Sequence, residues 1–219
     1  HINHNLSKFS KEWGTFCSAL CNDQKIEYKD IDINLENSSN IEENARKKRY
    51  LSLKSELRVD ETLCTAHHQE DQAETFLLQL FRGSGVAGLA SMPKIKSIGD
   101  SELYRPFLNI SKQKIIDYAS KNHLEWIEDD SNRDTNFKRN LLRIEFLPKL
   151  SSAFDGLIKN VSRSAAHQAE ALKLMQDLAE LDIKNFELLI NNKIQVSSLI
   201  QLPKRRMVNV LRYYIANLG

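Results

Sequence analysis

Apolar residues recur at helical spacing from the start of the chain, where Phe9, Trp13, Phe16, Cys17 and Leu20 form one stripe. Ile26, Tyr28, Ile31 and Ile33 then read as a short strand. Ser39 followed by Glu42 is a capping-box pattern. It opens a helix running to about Leu57, with Ile41, Ala45, Leu53 and Leu57 facing inward. Glu61 to Ala66 reads as another short strand, and a helix with an acidic first turn follows. Leu103 to Leu108 is extended, and Ser111 caps a helix carrying Ile115, Ile116 and Ala119. Strand and helix alternating in this way predict an α/β fold with a parallel sheet.

After about Leu150 the pattern changes. No Gly or Pro occurs from Leu157 to Leu202. Leu157, Val161, Ala165, Leu172, Met175, Leu178 and Phe186 fall near helical spacing. A long helix, an extended piece around Ile194 to Val196 and a last helix from about Pro203 are expected. The division is an α/β nucleotide-binding domain over 1–150 and a mainly helical domain over 151–219. No internal repeat or low-complexity linker interrupts either part.

Composition narrows the class. The chain has 219 residues, 41% hydrophobic and 27% charged, as in globular proteins. No apolar run suffices to span a bilayer. The polar start HINHNLSKFSKEW lacks the apolar stretch of a signal peptide, so a cytoplasmic location without a membrane is expected. The net charge of +2 is too small to imply nucleic acid, but its distribution is uneven. Glu125, Glu128, Asp129 and Asp130 are followed by Lys138, Arg139, Arg143 and Lys149. From Gly156 onward nine basic residues stand against five acidic ones, which suits either a polyanion partner or a solvated helix surface. Cys17, Cys21 and Cys64 form no C-x-x-C pair, so neither a disulfide framework nor a zinc ribbon fits.

Chemistry concentrates in TAHHQEDQAETFLLQLFRGSGVAGL, Thr65 to Leu89. His67, His68, Asp71, Glu74 and Thr75 lie where a strand ends and a helix begins. Ligands of α/β sheets bind at that edge, where helix amides favour anions. Carboxylates there can hold Mg²⁺, which in turn holds nucleotide phosphates. A competing reading is that Glu70, Asp71 and Glu74 only complement the helix dipole. Another is a transition-metal hydrolase using His67, His68 and Asp71, though no H-E-x-x-H occurs. Gly83 to Gly88 matches G-x-G-x-x-G, yet a helix precedes it rather than the strand that a dinucleotide fingerprint needs. Gly83 is instead expected to end that helix in the left-handed conformation. Arg46 to Arg49 is a basic cluster, and Arg139 and Arg143 stand one turn apart; each suits either a phosphate grip or a solvated face, and the second also internal salt bridges with the acids before it.

Taken in order, HINHNLS, IEENARKKRY, TAHHQEDQAETFLLQLFRGSGVAGLASM, YRPFL and WIEDDSNRDTNFKRNLLRIEFLP carry a resemblance. The chain resembles the tRNA(Ile)-lysidine synthetases, within the PP-loop (N-type) ATP pyrophosphatases. The likeness is good over about His1 to Pro148 and looser beyond. It implies ATP-dependent adenylation of the wobble cytidine of a CAU-anticodon tRNA(Ile), then displacement of AMP by free L-lysine. It places Asp71 and Glu74 at the ATP, Mg²⁺ and lysine site. Arg46 would neutralise phosphate, and His67 with Arg82, Gly83 and Gly85 would line the nucleotide pocket. Arg139 would be catalytic or tRNA-contacting, with Arg143 in support on the tRNA. The resemblance leaves room for a homodimer. The family's S-G-G-x-D-S loop, expected before HINHNLS, does not occur, so the sequence reads as an N-terminally truncated PP-loop domain, inactive by itself. Alternatives are another PP-loop tRNA-modifying enzyme, such as a thiolase, and a non-catalytic tRNA-binding module.

Overall fold

The computed structural model describes residues 1–3, 9–33 and 41–218, with the side chains of 41–43, 130 and 131 left aside. In chain order the elements are β1 (Ile2–Asn3), α1 (Ser10–Asp23), β2 (Ile31–Asp32), α2 (Ile41–Glu56), β3 (Thr62–Cys64) and α3 (Gln69–Phe81). Then come α4 (Val86–Leu89), β4 (Ile95–Ile98), β5 (Ser101–Tyr104), α5 (Lys112–Lys121), α6 (Lys138–Leu141) and α7 (Leu147–Ala153). The chain closes with α8 (Leu157–Asn185), β6 (Leu189–Ile190), β7 (Lys193–Ile194), α9 (Val196–Leu199) and α10 (Lys204–Ala216). These fall into two units, 1–71 with 94–155, and 72–93 with 156–219.

In the first unit β1 pairs parallel with β2, and β3 pairs parallel with β5. β4 adds an antiparallel edge to β5, giving the order β3-β5-β4. The α/β class with parallel strands is as expected. β4 is an addition, because Ile95, Lys96 and Ser97 are all exposed and leave no alternation to read. The strand expected from Ile26 shrinks to Ile31–Asp32. Ile26 is exposed, and the Tyr28 hydroxyl turns aside to donate to Gly14 O at 3.0 Å. β5 stops before Pro106, so the segment to Leu108 is a turn. α2 begins within one residue of the capping-box expectation, but Ser39 lies outside the described residues. Ser111 caps α5 as expected, accepting from the Lys114 N–H.

In the second unit the predicted long helix is α8, 29 residues without Gly or Pro. The β6–β7 hairpin takes the place of the expected extended piece, with Asn191 and Asn192 at positive φ in its turn. Its core joins Ala179 of α8, Leu188, Leu199, Leu202 and Val210 of α10. No helix among the described residues is long and apolar enough to cross a membrane.

Candidate functional site

The site of the first unit grows from the carboxyl ends of β3 and β5. Cys64 pairs with Tyr104, and the Thr65 N–H donates to Tyr104 O at 3.0 Å. Side chains alternate along a strand, so Leu103 and Arg105 share one face with Leu63 and Thr65. Leu103 is buried in the core, and Arg105 beyond it is only 3% exposed. His67 Nδ1 lies 2.9 Å from Thr65 Oγ1 on the same side. Burial is the main reason the His67 pKa falls to about 4; Arg105, Arg139 and Arg46 push the same way, against Asp71. The imidazole is therefore neutral at pH 7, with three guanidiniums within electrostatic reach. Such a concentration of positive charge, with a neutral hydrogen-bonding ring inside it, suits an anion with several oxygens.

The start of α3 is built from its acids. Asp71 Oδ2 accepts the His68 N–H at 3.0 Å, the backward half of a capping box. Its other oxygen accepts from Arg143 at 3.2 Å. Glu70 Oε2 accepts the Lys112 N–H at 2.7 Å, and so satisfies an orphan amide at the start of α5. The same oxygen lies 3.1 Å from His68 Nδ1. Glu70 thus serves two helix starts, and the helix-end reading of the acids accounts for it. Asp71 is a cap and an ion-pair partner at once.

Arg139 and Arg143 were expected side by side on one helical face. α6 ends at Leu141, and a π turn over Leu142–Phe146 follows, in which the Leu147 N–H reaches Leu142 O. Arg143 donates to Asp71, and the charge of Arg139 acts on His67. Arg46 is exposed on α2, its guanidinium 5.4 Å from the Tyr50 ring centroid.

Other expected site residues belong to the second unit. Glu74 of α3 is fully buried, at 0% exposure. Its neighbour Gln72 bonds Met92 through both amide atoms, each at 3.0 Å. Gly83 has φ +69, its N–H donating to Leu80 O while the Ser84 N–H donates to Gln79 O. That pair of bonds is the left-handed helix ending expected of Gly83. Arg82 is exposed, and Gly85 opens α4 in extended conformation. A Cβ on Gly88 would stand 2.5 Å from Ser84 Cβ. Turn geometry and close packing therefore account for these glycines. Arg82, Gly83 and Gly85 fall in the second unit, and the residues around His67 in the first.

Among the described residues no three His, Cys, Asp or Glu side chains are grouped to hold a metal ion. That leaves His67, His68 and Asp71 without the arrangement a transition-metal hydrolase needs. Arg105 is the residue that reasoning from the sequence missed. Its signal was an arginine directly after a short strand and just before Pro106.

Parallel strands with an anion-suited edge at their carboxyl ends narrow the fold, and comparison with known proteins decides it. A family model of the PP-loop domain matches residues 1–150. The chain belongs to the PP-loop family. The PP-loop chain is 42% identical over 98% of its length to a tRNA(Ile)-lysidine synthase of Coxiella burnetii, covering 48% of that protein. It is 40% identical to the tRNA(Ile)-lysidine synthase of Legionella pneumophila strain Lens, over 98% of this chain and 50% of the relative. It thus spans about half the length of the curated relatives it matches. A U34-tRNA thiolase, NcsA of Methanococcus maripaludis, shares the fold at a TM-score of 0.59 and 14% identity, over 77% of this chain and 60% of that one.

Proposed function

We propose that this PP-loop chain carries the ligase chemistry of a tRNA(Ile)-lysidine synthase. The observation that carries the reading is the arginine cluster around a neutral His67 at the carboxyl ends of β3 and β5. The relatives' names supply the substrate class. In the proposed reaction the C2 oxygen of the wobble cytidine attacks the α-phosphate of ATP, and pyrophosphate leaves. The amine of free lysine then attacks C2, and AMP leaves.

The chain's own residues act by position and charge. Arg46 and Arg139 offset the phosphate charge that develops on the α-phosphate and its leaving group. His67, neutral at working pH, exchanges hydrogen bonds there without adding a competing charge. Asp71 supplies the acid that an attacking lysine, cationic in water, needs as a partner. Where Mg²⁺ accompanies the ATP phosphates, Asp71 is the carboxylate of this edge that would help to hold it, and the ion would offset phosphate charge. Exposed Lys204, Arg205 and Arg212 on α10 suit the tRNA backbone.

The test is labelled lysine incorporation into an unmodified CAU-anticodon tRNA(Ile) by the complete gene product, with and without ATP. ATP-dependent incorporation is expected. Binding of tRNA without incorporation would leave a different PP-loop reaction or a binding module.

A further inference from the structure

The Asp71–Arg143 pair does more than the phosphate reading uses. A π turn holds an extra residue per turn, so side chains within it are re-aimed relative to a continuous α-helix. Here that turn covers Leu142–Phe146 and contains Arg143. Arg139, ahead of the turn, stays coupled to His67, while Arg143 donates to Asp71 Oδ1 at 3.2 Å. Asp71 Oδ2 accepts the His68 N–H, so the carboxylate is held at both oxygens. One hold comes from the chain entering α3, the other from a segment 72 residues away. The Asp71 side chain is 13% exposed and that of Arg143 30%. A guanidinium gripping an RNA backbone points to solvent, whereas this one points at a half-buried acid.

We propose that Arg143 is a positioning residue, aimed by the π turn, that fixes the Asp71 carboxylate beside the phosphate site and does not itself grip tRNA. Its effect on activity rests on the ligase reading, while the pair rests on geometry. The planar guanidinium orients a carboxylate as a lysine ammonium does not, so Arg143→Lys restores charge without full orientation.

The experiment compares Arg143→Ala, Arg143→Lys, Asp71→Asn and Arg143→Ala with Asp71→Asn in the complete gene product. Turnover, the KM for tRNA at several salt concentrations, and the melting temperature are measured. Arg143→Ala is expected to lower turnover about tenfold with the tRNA KM within about twofold of wild type. Arg143→Lys recovers part of it, and the double variant is no slower than Asp71→Asn alone, as for two residues acting as one unit. A raised tRNA KM, a salt slope shallower by about one, and losses that multiply in the double variant would make Arg143 a tRNA contact and overturn the proposal. If the wild type transfers no lysine, the ligase reading has failed, and melting decides the pair. Non-additive melting shifts uphold the positioning role, and strict additivity overturns it.

Discussion

Two carboxylate–guanidinium pairs, one in each unit, are alike in chemistry and opposite in surroundings. Asp182 of α8 is fully buried and holds Arg206 through two bonds, the Nε one at 3.0 Å. Its setting is apolar, with the Phe186 ring 5.9 Å from the guanidinium and Ala179, Leu188 and Val210 in the same unit's core. Asp71 holds Arg143 beside His68, which also meets Glu70, and its charge reaches His67, which feels Arg105, Arg139 and Arg46 as well. A fully buried carboxylate with apolar neighbours depends on its guanidinium, itself partly exposed, so this pair ties α8 to α10. A pair at the ends of parallel strands lies where ligands bind. Neighbourhood, and not the pair, separates a fastening from a working part.

Breaking the fastening should give the largest effect. Arg206→Met leaves Asp182 buried without its partner and lowers the melting temperature by about 10 °C, measured by calorimetry. Turnover per folded molecule stays unchanged; a loss of turnover at low temperature would erase the contrast between the two pairs. In the same core, Leu188→Ala costs about 3 kcal/mol in denaturant unfolding. On the working side, Arg139→Ala slows lysine transfer at least tenfold, about 1.4 kcal/mol of barrier. A smaller loss would make it a surface residue. Gly83→Val, which forces a β-branched residue to φ +69, costs about 1–2 kcal/mol, read as a lowered melting temperature.

A further test sharpens the comparison through pH. His67 titrates lower in the folded chain, at about 4, than its ordinary 6.5. Unfolded chains therefore bind the extra proton first, and His67 contributes a loss of stability as pH falls from about 6.5 toward about 4. His67→Gln should remove that part of the acid sensitivity. An identical pH profile in wild type and variant would show that the ring is not buried neutral.

Much of this was legible in the residues alone. α8 and α10 followed from apolar spacing without Gly or Pro, and the Gly83 exit from its place after an amphipathic run. Local signals of this kind act within one helical turn and need no partner. What escaped depended on partners far along the chain. Arg139 and Arg143 have i,i+4 spacing, but the π turn that follows Leu141 leaves no mark in composition. Arg105 reads as an ordinary surface arginine until the β3–β5 register puts it beside Thr65. Glu70 looks like a first-turn acid of its own helix, yet the amide it satisfies belongs to Lys112.

The β3–β5 register also governs when the working edge comes into being. Thr62 pairs with Glu102, forty residues later, whereas Ile98 and Ser101 meet across a turn at Gly99 and Asp100. Closing the longer loop costs more entropy, so the β4–β5 hairpin is the earlier event and β3 docks on its free side. On a ribosome adding about 5–20 residues per second, β3 spends roughly 2–8 s without its neighbour. Throughout that interval the Arg105 charge that His67 feels in the folded chain is not yet in place.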